Sequence, residues 1–295
     1  MRISVGAGTY IVAVSGGVDS MVLLDILRQR RDMKLVVAHF DHGIRNDSIQ
    51  DRKLVQSFAK KHGLIFVYKN GNLGAGTSEA KARTARYGFL RSVQNASGAK
   101  AIITAHHQDD ALETAVMNLM RGSGRRGLTS LKTTDGLVRP LLGHNKEQIR
   151  EYALDHAVPW REDSSNQDVS YARNYIRANV IPKFSDGQRA QFVILLEELR
   201  TINDELDNRM VGLLHTQPAT NVLDRAWFIH LPHEVAKDVL HTWLRQHGVK
   251  DVTKKTIERL IVAMKTGHGG QKIDVDSQYQ LQINKYSLAL RARER

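Results

Sequence analysis

The hexapeptide Ser-Gly-Gly-Val-Asp-Ser at residues 15–20 constrains the fold of this chain more than any other segment. It follows an apolar run at residues 10–14 and precedes a helical apolar pattern at residues 21–27. A strand, a tight loop and a helix in this order aim several backbone N–H groups at one point, where the helix dipole favours negative charge. Two adjacent glycines let the backbone approach an anion closely. The segment therefore predicts a phosphate- or pyrophosphate-binding loop.

Other phosphate-binding loops fit this segment less well. The pattern GxxxxGK[ST] requires a lysine at the start of the helix, and residues 15–20 contain none. The dinucleotide pattern GxGxxG does not follow the strand, since Gly6 and Gly8 precede it and predict an N-terminal turn. If the segment binds no ligand, it is an ordinary strand–helix turn in which Asp19 or Ser20 is the N-cap.

The first two thirds of the chain alternate apolar, β-rich runs with helical patterns. Such runs, when nearly continuous, are typical of strands buried on both faces, so the order predicts an α/β fold with a doubly wound parallel sheet. Ligands bind beyond the carboxyl ends of the strands in that architecture. The strand runs lie at residues 10–14, 34–40, 64–68, 99–105 and, as a further edge strand, 136–142, with helices at 48–62 and from Ser78 to near Gly98.

The remainder of the chain predicts a linking helix and a small α+β domain. Asn145 and Gln148 have the spacing of a capping box for a helix that ends near residue 156. We predict a catalytic domain at 1–185, a linking helix at 186–214 and a small basic domain at 215–295, which contains helices near 232–247 and 253–264 followed by two or three short antiparallel strands.

Composition limits the class of protein and its partners. The chain has 295 residues, a formal net charge of +12 and no cysteine. A positive excess of this size favours a polyanionic partner such as a nucleic acid. The absence of cysteine excludes disulfides, cysteine-ligated zinc and iron–sulfur clusters. No apolar stretch is long enough to span a membrane and no signal peptide is evident, so we expect a cytoplasmic protein without a membrane partner.

Two polar clusters follow predicted strands. The first, His39-Phe40-Asp41-His42-Gly43-Ile44-Arg45, ends the second strand, and the second, His106-His107-Gln108-Asp109-Asp110-Ala111-Leu112-Glu113-Thr114, follows the fourth. A helix that begins near Gln108 would place Asp109, Asp110 and Glu113 in its first turns. Carboxylates there are stabilised by the helix dipole without any function, or they hold Mg²⁺ or a cationic amine near the phosphate loop.

Basic residues accompany these clusters. Arg83 and Arg86 can share one face of the helix capped by Ser78, where they are either solvated or bound to phosphate oxygens. Residues 121–128, which read RGSGRRGL, predict a flexible basic loop that closes on phosphates. Two further polar stretches, REDSSN at 161–166 and RNYIR at 173–177, complete the series.

The motifs, taken in order, resemble those of the tRNA(Ile)-lysidine synthetase family of PP-loop ATP pyrophosphatases. The resemblance covers residues 10 to 183 and rests on SGGVDS, HFDHGIR, ARTARY, HHQDDALET, RGSGRRGL, RPLL and REDSSN…YARNYIR. It implies a Rossmann-like fold and an ATP-dependent ligase. In that reaction ATP adenylates C2 of the wobble cytidine in isoleucine tRNA with a CAU anticodon, and free L-lysine then displaces AMP to give lysidine.

The resemblance also implies roles for individual residues. The loop residues Ser15, Gly16, Gly17, Val18, Asp19 and Ser20 would hold ATP and the departing pyrophosphate, with Asp19 a ligand of Mg²⁺. Asp109, Asp110 and Glu113 would bind the lysine, and His42, His106 or one of these acids would accept the proton of its amine. Arg83, Arg86 and Arg125 would neutralise charge on ATP or tRNA.

Three other functions remain open. A tRNA thiolase uses the same loop but generally relies on cysteine, which this chain lacks. A small-molecule synthetase of the NAD or GMP type would not need the net positive charge or the basic C-terminal domain. A tRNA-binding protein with an inactive loop would not need an intact SGGVDS. The long helix at 186–214 could also provide a homodimer contact.

Overall fold

A computed structural model describes residues 1–43, 48–74, 76–162, 172–217, 219–249 and 252–293. Parts of three motifs named above, at residues 44–45, 163–166 and 171, lie outside the described residues. The chain forms two compact units, Met1–Glu197 and Glu198–Arg295. The division into three parts at residues 185 and 214 stays a prediction.

The first unit contains a parallel sheet of five strands in the order β3-β2-β1-β4-β5. Its strands are β1 (Gly8–Ala13), β2 (Met33–Asp41), β3 (Ile65–Asn70), β4 (Ala101–Ile103) and β5 (Leu137–Val138). Every pairing within this sheet is parallel. From the central strand β1 the chain adds β2 and β3 on one side of the sheet and then β4 and β5 on the other, as in doubly wound folds. The predicted fold class is therefore confirmed.

Helices connect these strands, and their ends follow local sequence signals. Ser78 caps its helix by accepting the Lys81 backbone N–H, and Gly98 ends that helix with φ 62°. The predicted capping box of Asn145 and Gln148 is also present. The helices are α1 (Val18–Arg28), α2 (Ser48–Lys61), α3 (Glu79–Ser97), α4 (Gln108–Met120), α5 (Arg125–Leu128), α6 (Lys146–Asp155) and α7 (Ala172–Tyr175), followed by a π-helical turn at Ile176–Val180 and a 3₁₀ turn at Ile181–Lys183.

Both faces of the central strands are buried. Tyr10 and Val12 of β1 pack into the core that contains the apolar residues of α1, whereas Ile11 packs into the core on the other face, with Phe89 and Leu90 of α3. The expectation that both faces of the strand are buried is wrong for β3. Ile65 is 63% exposed, because β3 lies at the end of the strand order and part of its surface is in contact with solvent.

The basic segment at 121–128 differs from the loop that its sequence predicts. Residues Arg125–Leu128 form the short helix α5, whose N-cap is Gly124. The Asn118 side-chain amide donates a hydrogen bond of 2.7 Å to the Gly127 carbonyl oxygen and so ties α5 to α4. The backbone hydrogen bonds of Gly127 and Leu128 to Gly124 and the side chain of Asn118 together order this part of the segment.

The second unit has an antiparallel sheet and helices around its own core. The sheet order is β6-β9-β8-β7, and Phe228, Trp243 and Leu260 are fully buried in the core. The remaining elements of the chain are α8 (Asp186–His215), β6 (Val222–Asp224), α9 (Arg225–Ile229), α10 (His233–Gln246), α11 (Lys254–Thr266), β7 (Lys272–Asp274), β8 (Tyr279–Ile283) and β9 (Ser287–Ala292). In the part of the chain that the structure describes, none of the helices has the length and apolarity to cross a membrane.

Candidate active site

A cavity of about 550 Å³ lies beyond the carboxyl ends of β1, β2 and β4. This is the edge of the sheet at which the sequence predicts ligand binding. The cavity brings together predicted site residues from four segments of the chain. They are Ser15, Gly17, Asp19, Ser20, His42, Arg86 and His106.

The predicted phosphate loop closes on the hydroxyl group of Ser20. The backbone N–H groups of Ser15 and Gly16 donate to Ser20 Oγ at 3.1 and 3.3 Å, and Ser20 Oγ–H donates to the Gly17 carbonyl oxygen at 2.9 Å. Helix α1 begins at Val18, and its N-cap is Gly17, not Asp19 or Ser20. The converging N–H donors at a helix N-terminus are those that an anion would engage in place of the hydroxyl oxygen.

Gly16 is required by both its backbone angle and its neighbours. Its φ is 102°, and a Cβ atom there would lie 3.2 Å from Asp51 Cβ. Arg161 braces the same point, because its Nε donates to Asp51 Oδ1 at 2.8 Å and its backbone N–H donates to the Gly16 carbonyl oxygen at 3.1 Å. Sequence reasoning gave Asp51 no role, because its position on α2 looks like an ordinary helix position.

Asp19 points from the loop toward a lysine on α6. Lys146 Nζ lies 2.6 Å from Asp19 Oδ1 and 2.7 Å from Oδ2. The Lys146 backbone N–H donates to Asp109 Oδ2 at 2.8 Å. Lys146 therefore joins the phosphate loop to the acidic helix α4. Sequence reasoning missed this lysine, although it stands just after the RPLL motif at the start of a capped helix.

His107 stands among three carboxylates and is 4% exposed. Its ring nitrogens lie 3.3 Å from Asp109 Oδ2, 3.5 Å from Asp110 Oδ2 and 3.8 Å from Asp19 Oδ2. Burial alone would lower the pKa of His107, but these negative charges outweigh burial and raise it. Sequence reasoning named His106 from this His-His pair and missed His107.

Glu113 is paired with an arginine from the turn that follows α7. Arg177 Nε donates to Glu113 Oε1 at 2.6 Å and its Nη2 donates to Oε2 at 2.9 Å, while Asp110 Oδ1 lies 3.4 Å from Nη2. The Glu113 carboxylate is 2% exposed, and burial raises its pKa although Arg177 opposes that shift. Sequence analysis singled out the RNYIR segment without a role for any of its residues. In the structure Arg177 contacts Glu113, and Arg173 Nη2 donates to Thr114 Oγ1 of the same helix at 3.3 Å.

Two buried arginines, Arg86 in the cavity lining and Arg139 outside it, lie close enough to His106 to affect its titration. Burial lowers the pKa of Arg86 and of Arg139, whose Nε atoms are both buried without a hydrogen bond in the described residues. Burial, with the positive charges of Arg139 and Arg86, also lowers the pKa of His106 to about 3. The positive charge of the two arginines favours an anion, and burial together with that charge keeps His106 neutral and weakly basic.

The remaining candidates lie at different distances from this site. His42 lines the cavity, and its ring packs edge-on against Phe40 with centroids 4.9 Å apart. Arg83 is exposed and lies over the Tyr87 ring, 4.7 Å from its centroid, outside the residues that line the cavity. Arg125 lies in α5 and does not line the cavity either.

Oxygen donors of the loop suit a magnesium ion that is carried by phosphates. Mg²⁺ usually takes one or two carboxylates and completes its shell with water and phosphate oxygens. Asp19 provides one such carboxylate beside the hydroxyl groups of Ser15 and Ser20. Within the described residues, no group of three or more His, Cys, Asp or Glu side chains could hold a metal alone. The donor set therefore fits a metal that arrives with a nucleotide.

The fold and the site together define a class. A doubly wound parallel sheet with an anion-binding loop between its central strand and α1 is a nucleotide-binding α/β domain. Residues 3–184 match the family model described as the PP-loop domain, which is named for ATP binding. The chain belongs to the PP-loop domain family, and this family implies the use of ATP.

Curated relatives confirm the resemblance that the motifs carry. The tRNA(Ile)-lysidine synthase of Lactiplantibacillus plantarum is 32% identical over 292 residues, which cover 94% of this chain and 65% of that protein. The protein of the same name from Thermotoga sp. (strain RQ2) is 35% identical over 215 residues, 70% of this chain and 49% of that protein. The protein of the same name from Francisella tularensis subsp. holarctica is 28% identical over an alignment that covers 95% of this chain and 73% of that protein. The chain thus spans about half to three quarters of the length of these relatives.

A solved structure supports the fold. The U34-tRNA thiolase NcsA from Methanococcus maripaludis, solved with its [4Fe-4S] cluster, superposes with a TM-score of 0.53 at 16% identity. The superposition covers 66% of this chain and 73% of that protein. At this identity the likeness concerns the chain path alone.

Proposed function

We propose that this chain uses ATP to ligate free L-lysine to C2 of the wobble cytidine in isoleucine tRNA with a CAU anticodon. The observation that carries the proposal is the meeting of a phosphate loop and a carboxylate cluster at one edge of the sheet, where Lys146 joins Asp19 to Asp109. The names of the relatives that align with 94% and 95% of the chain support it.

The first step is adenylation of the tRNA. The C2 oxygen of the cytidine bonds to the α-phosphorus of ATP, and pyrophosphate leaves with the electron pair of the broken P–O bond. The N–H groups of Ser15 and Gly16 and the N-terminus of α1 would stabilise the negative charge of that leaving group. Magnesium, held by Asp19 and the phosphate oxygens, would neutralise further charge.

The second step is attack by lysine. The ε-amine bonds to C2, and AMP leaves together with the former C2 oxygen. Asp109, Asp110 and Glu113 would bind the amino group of lysine, and one base must take a proton from it. His106 is a poor acceptor because its pKa lies near 3. We assign the proton to Glu113, because burial raises its pKa and makes it the stronger base among these acids.

Glu113 can act in this way only after Arg177 moves from it. A guanidinium group and an ammonium group compete for the same carboxylate oxygens, since both are cationic hydrogen-bond donors. Arg177 therefore holds, in the lysine-free protein, the position that the substrate amine would take.

The tRNA would contact both parts of the chain. We propose that residues 1–185 form the catalytic domain and that residues 215–295 bind tRNA. The second unit exposes basic side chains that suit phosphate contacts. They are Lys254, Lys255, Arg259, Lys272, Lys285, Arg291 and Arg293. Because the proposed substrates are tRNA, ATP and free lysine, we also propose that the protein acts in the cytoplasm.

A homodimer is a further proposal. Ile194, Leu195 and Ile202 are about half exposed on α8, and covering them with a second copy would be favourable. Sedimentation velocity would test this proposal, because a monomer across the micromolar range would contradict it.

Mass spectrometry of the isoleucine tRNA tests the function. The tRNA is incubated with protein, Mg·ATP and isotopically labelled lysine, then digested to nucleosides. We expect label in the nucleoside that derives from position 34 and none in methionine tRNA. Label absent from a tRNA that nonetheless accepts sulfur would favour a thiolase. ATP consumption that requires ammonia and a small nucleotide, but not tRNA, would favour a synthetase of the NAD or GMP type.

A further inference from the structure

Lys146 contacts the phosphate loop directly, because its Nζ lies 2.6 Å from Asp19 Oδ1. It is the first residue of α6, whose start is fixed by the Asn145–Gln148 capping box. Its backbone N–H donates to Asp109 Oδ2 at 2.8 Å. The main chain of Lys146 is thereby held in place, while its long side chain reaches the carboxylate of Asp19.

Helix α6 is positioned firmly against α1, the helix that the phosphate loop opens. Ile149 and Ala153 of α6 are fully buried in the core that contains the apolar residues of α1. The Tyr152 hydroxyl group donates to Asp25 Oδ2 at 3.0 Å and accepts from Gln29 Nε2 at 3.1 Å. The distance from the Lys146 backbone to the loop is therefore set by packed secondary structure.

The loop lacks a cation of its own. Phosphate loops of the GxxxxGK[ST] type carry a lysine at the helix start that reaches the outer phosphates, and residues 15–20 contain no lysine or arginine. Lys146 brings an ammonium group to the same end of α1 from another helix. Lys146 does not itself line the cavity, but its partner Asp19 does, and the Lys146 side chain is 38% exposed and so is not fixed by core packing.

We propose that Lys146 binds the pyrophosphate portion of ATP and that its ion pair with Asp19 is the resting state of this lysine. This inference rests on the proposed function, since it assigns a group to the leaving pyrophosphate. Asp19 is the carboxylate that would hold the Mg²⁺ of an entering nucleotide, and engaging it in this way would free Nζ from Asp19. The ammonium group then moves to the β- or γ-phosphate oxygens, where it stabilises the charge that develops as the P–O bond breaks.

Pyrophosphate binding measured by calorimetry, without tRNA or lysine, tests this assignment. In Mg²⁺ buffer we expect Lys146→Met to weaken pyrophosphate binding about tenfold, the loss of one charge-assisted contact. Lys146→Arg should stay within about threefold of the wild type, because it keeps the charge. Lys34→Met, which removes an exposed lysine from β2 at the opposite end of the sheet, should change nothing.

Asp19→Asn is expected to change the affinity for pyrophosphate in the opposite direction from Lys146→Met. Without Mg²⁺, this variant should bind pyrophosphate more tightly than the wild type, because Nζ is no longer held by a carboxylate. A purely structural ion pair would instead lower the melting temperature of Lys146→Met and Asp19→Asn and leave the affinity of Lys146→Met for pyrophosphate unchanged. That unchanged affinity, in protein with a native circular dichroism spectrum, would overturn the assignment.

The outcome is separable from that of the proposed function. If the wild type binds pyrophosphate through Lys146 but forms no lysidine, the assignment of Lys146 stands and the lysine-ligating activity fails. If the wild type forms lysidine and Lys146→Met binds pyrophosphate normally, the activity stands and the assignment fails. Should Lys146→Met not fold, Asp19→Asn without metal decides, because no gain in affinity would refute the proposal.

Discussion

Arg177 binds the Glu113 carboxylate through two hydrogen bonds, from Nε to Oε1 at 2.6 Å and from Nη2 to Oε2 at 2.9 Å. The Glu113 side chain is 2% exposed, so the pairing gives a buried negative charge a partner of opposite sign. It also places a cation where the proposed reaction requires the amine of lysine. In the proposed reaction, lysine would therefore have to displace a contact that stabilises α4.

Replacing Glu113 should separate the two steps of the reaction. In Glu113→Gln the ligand for the lysine amine loses its charge and the proton acceptor is gone, so we expect lysine incorporation to fall by about a hundredfold. Adenylation of tRNA, followed as tRNA-dependent ATP–pyrophosphate exchange, should persist. Glu151→Gln, an exposed position on α6, is the matched control. Undiminished incorporation by Glu113→Gln would remove Glu113 from the mechanism.

A methyl group at Gly16 should disable the phosphate loop. The new Cβ atom would meet Asp51 Cβ at 3.2 Å in a backbone with φ 102°, so the loop must shift away from α2. We expect Gly16→Ala to weaken ATP binding by about tenfold or more, measured by calorimetry. Gly98→Ala is the control, because Gly98 has a φ of 62° with open space around it. It should lose about 1–2 kcal/mol of stability with its ATP affinity intact.

The contrast between these two glycines shows what the sequence can predict. The loop, the Gly98 C-cap and the Asn145–Gln148 capping box follow from residues adjacent in the chain, and the structure contains them all. The clash at Gly16 depends on Asp51, which reaches the loop only because α2 packs there. Local patterns predict that a glycine is needed at such a position, but not which atoms of a distant residue a side chain there would clash with.

The ion pairs of the site were beyond sequence reasoning for the same reason. Lys146 and Asp19 are 127 residues apart, Arg161 and Asp51 are 110 apart, and Arg177 and Glu113 are 64 apart. Each pair joins two elements whose relative position is set by core packing, so neither residue carries a local signal for its partner. The sequence predicted which elements would meet at the sheet edge, and the pairings required the structure.

Removing the Arg161 side chain should loosen the phosphate loop through Asp51, while the backbone N–H of residue 161 can still donate to the Gly16 carbonyl oxygen. The Arg161 side chain pairs with Asp51, whose side chain is only 11% exposed. Arg161→Ala weakens the support of that carboxylate and of the Gly16 turn, so we expect a loss of about 1–3 kcal/mol in stability and a higher KM for ATP. Urea denaturation and ATP–pyrophosphate exchange measure the two effects.

Arg150→Ala is the control for that experiment. Arg150 pairs with Glu162 at 2.9 Å, but both side chains are more than half exposed, so the pair contributes at most about 1 kcal/mol. Equal losses in the two variants would show that Arg161 does not act through the loop.

His107 should make the stability of the first unit fall as pH rises. The carboxylates of Asp19, Asp109 and Asp110 outweigh burial and raise the pKa of His107 above 6.5, although the charge of Lys146 opposes them. The folded protein therefore holds this proton more tightly than the unfolded chain does. The resulting stabilisation is complete below about pH 6.5 and is lost as pH rises through the folded-state pKa.

Urea denaturation of the wild type and of His107→Gln across pH 5.5 to about 9 isolates this contribution. We expect the wild type to lose stability relative to His107→Gln as pH increases, because glutamine carries no titrating proton. Asp109→Asn should move the decline to lower pH, since it removes the carboxylate closest to the ring. A difference between the wild type and His107→Gln that is constant with pH would mean that His107 binds its proton equally well in the folded and unfolded states, and that the acidic cluster does not raise its pKa.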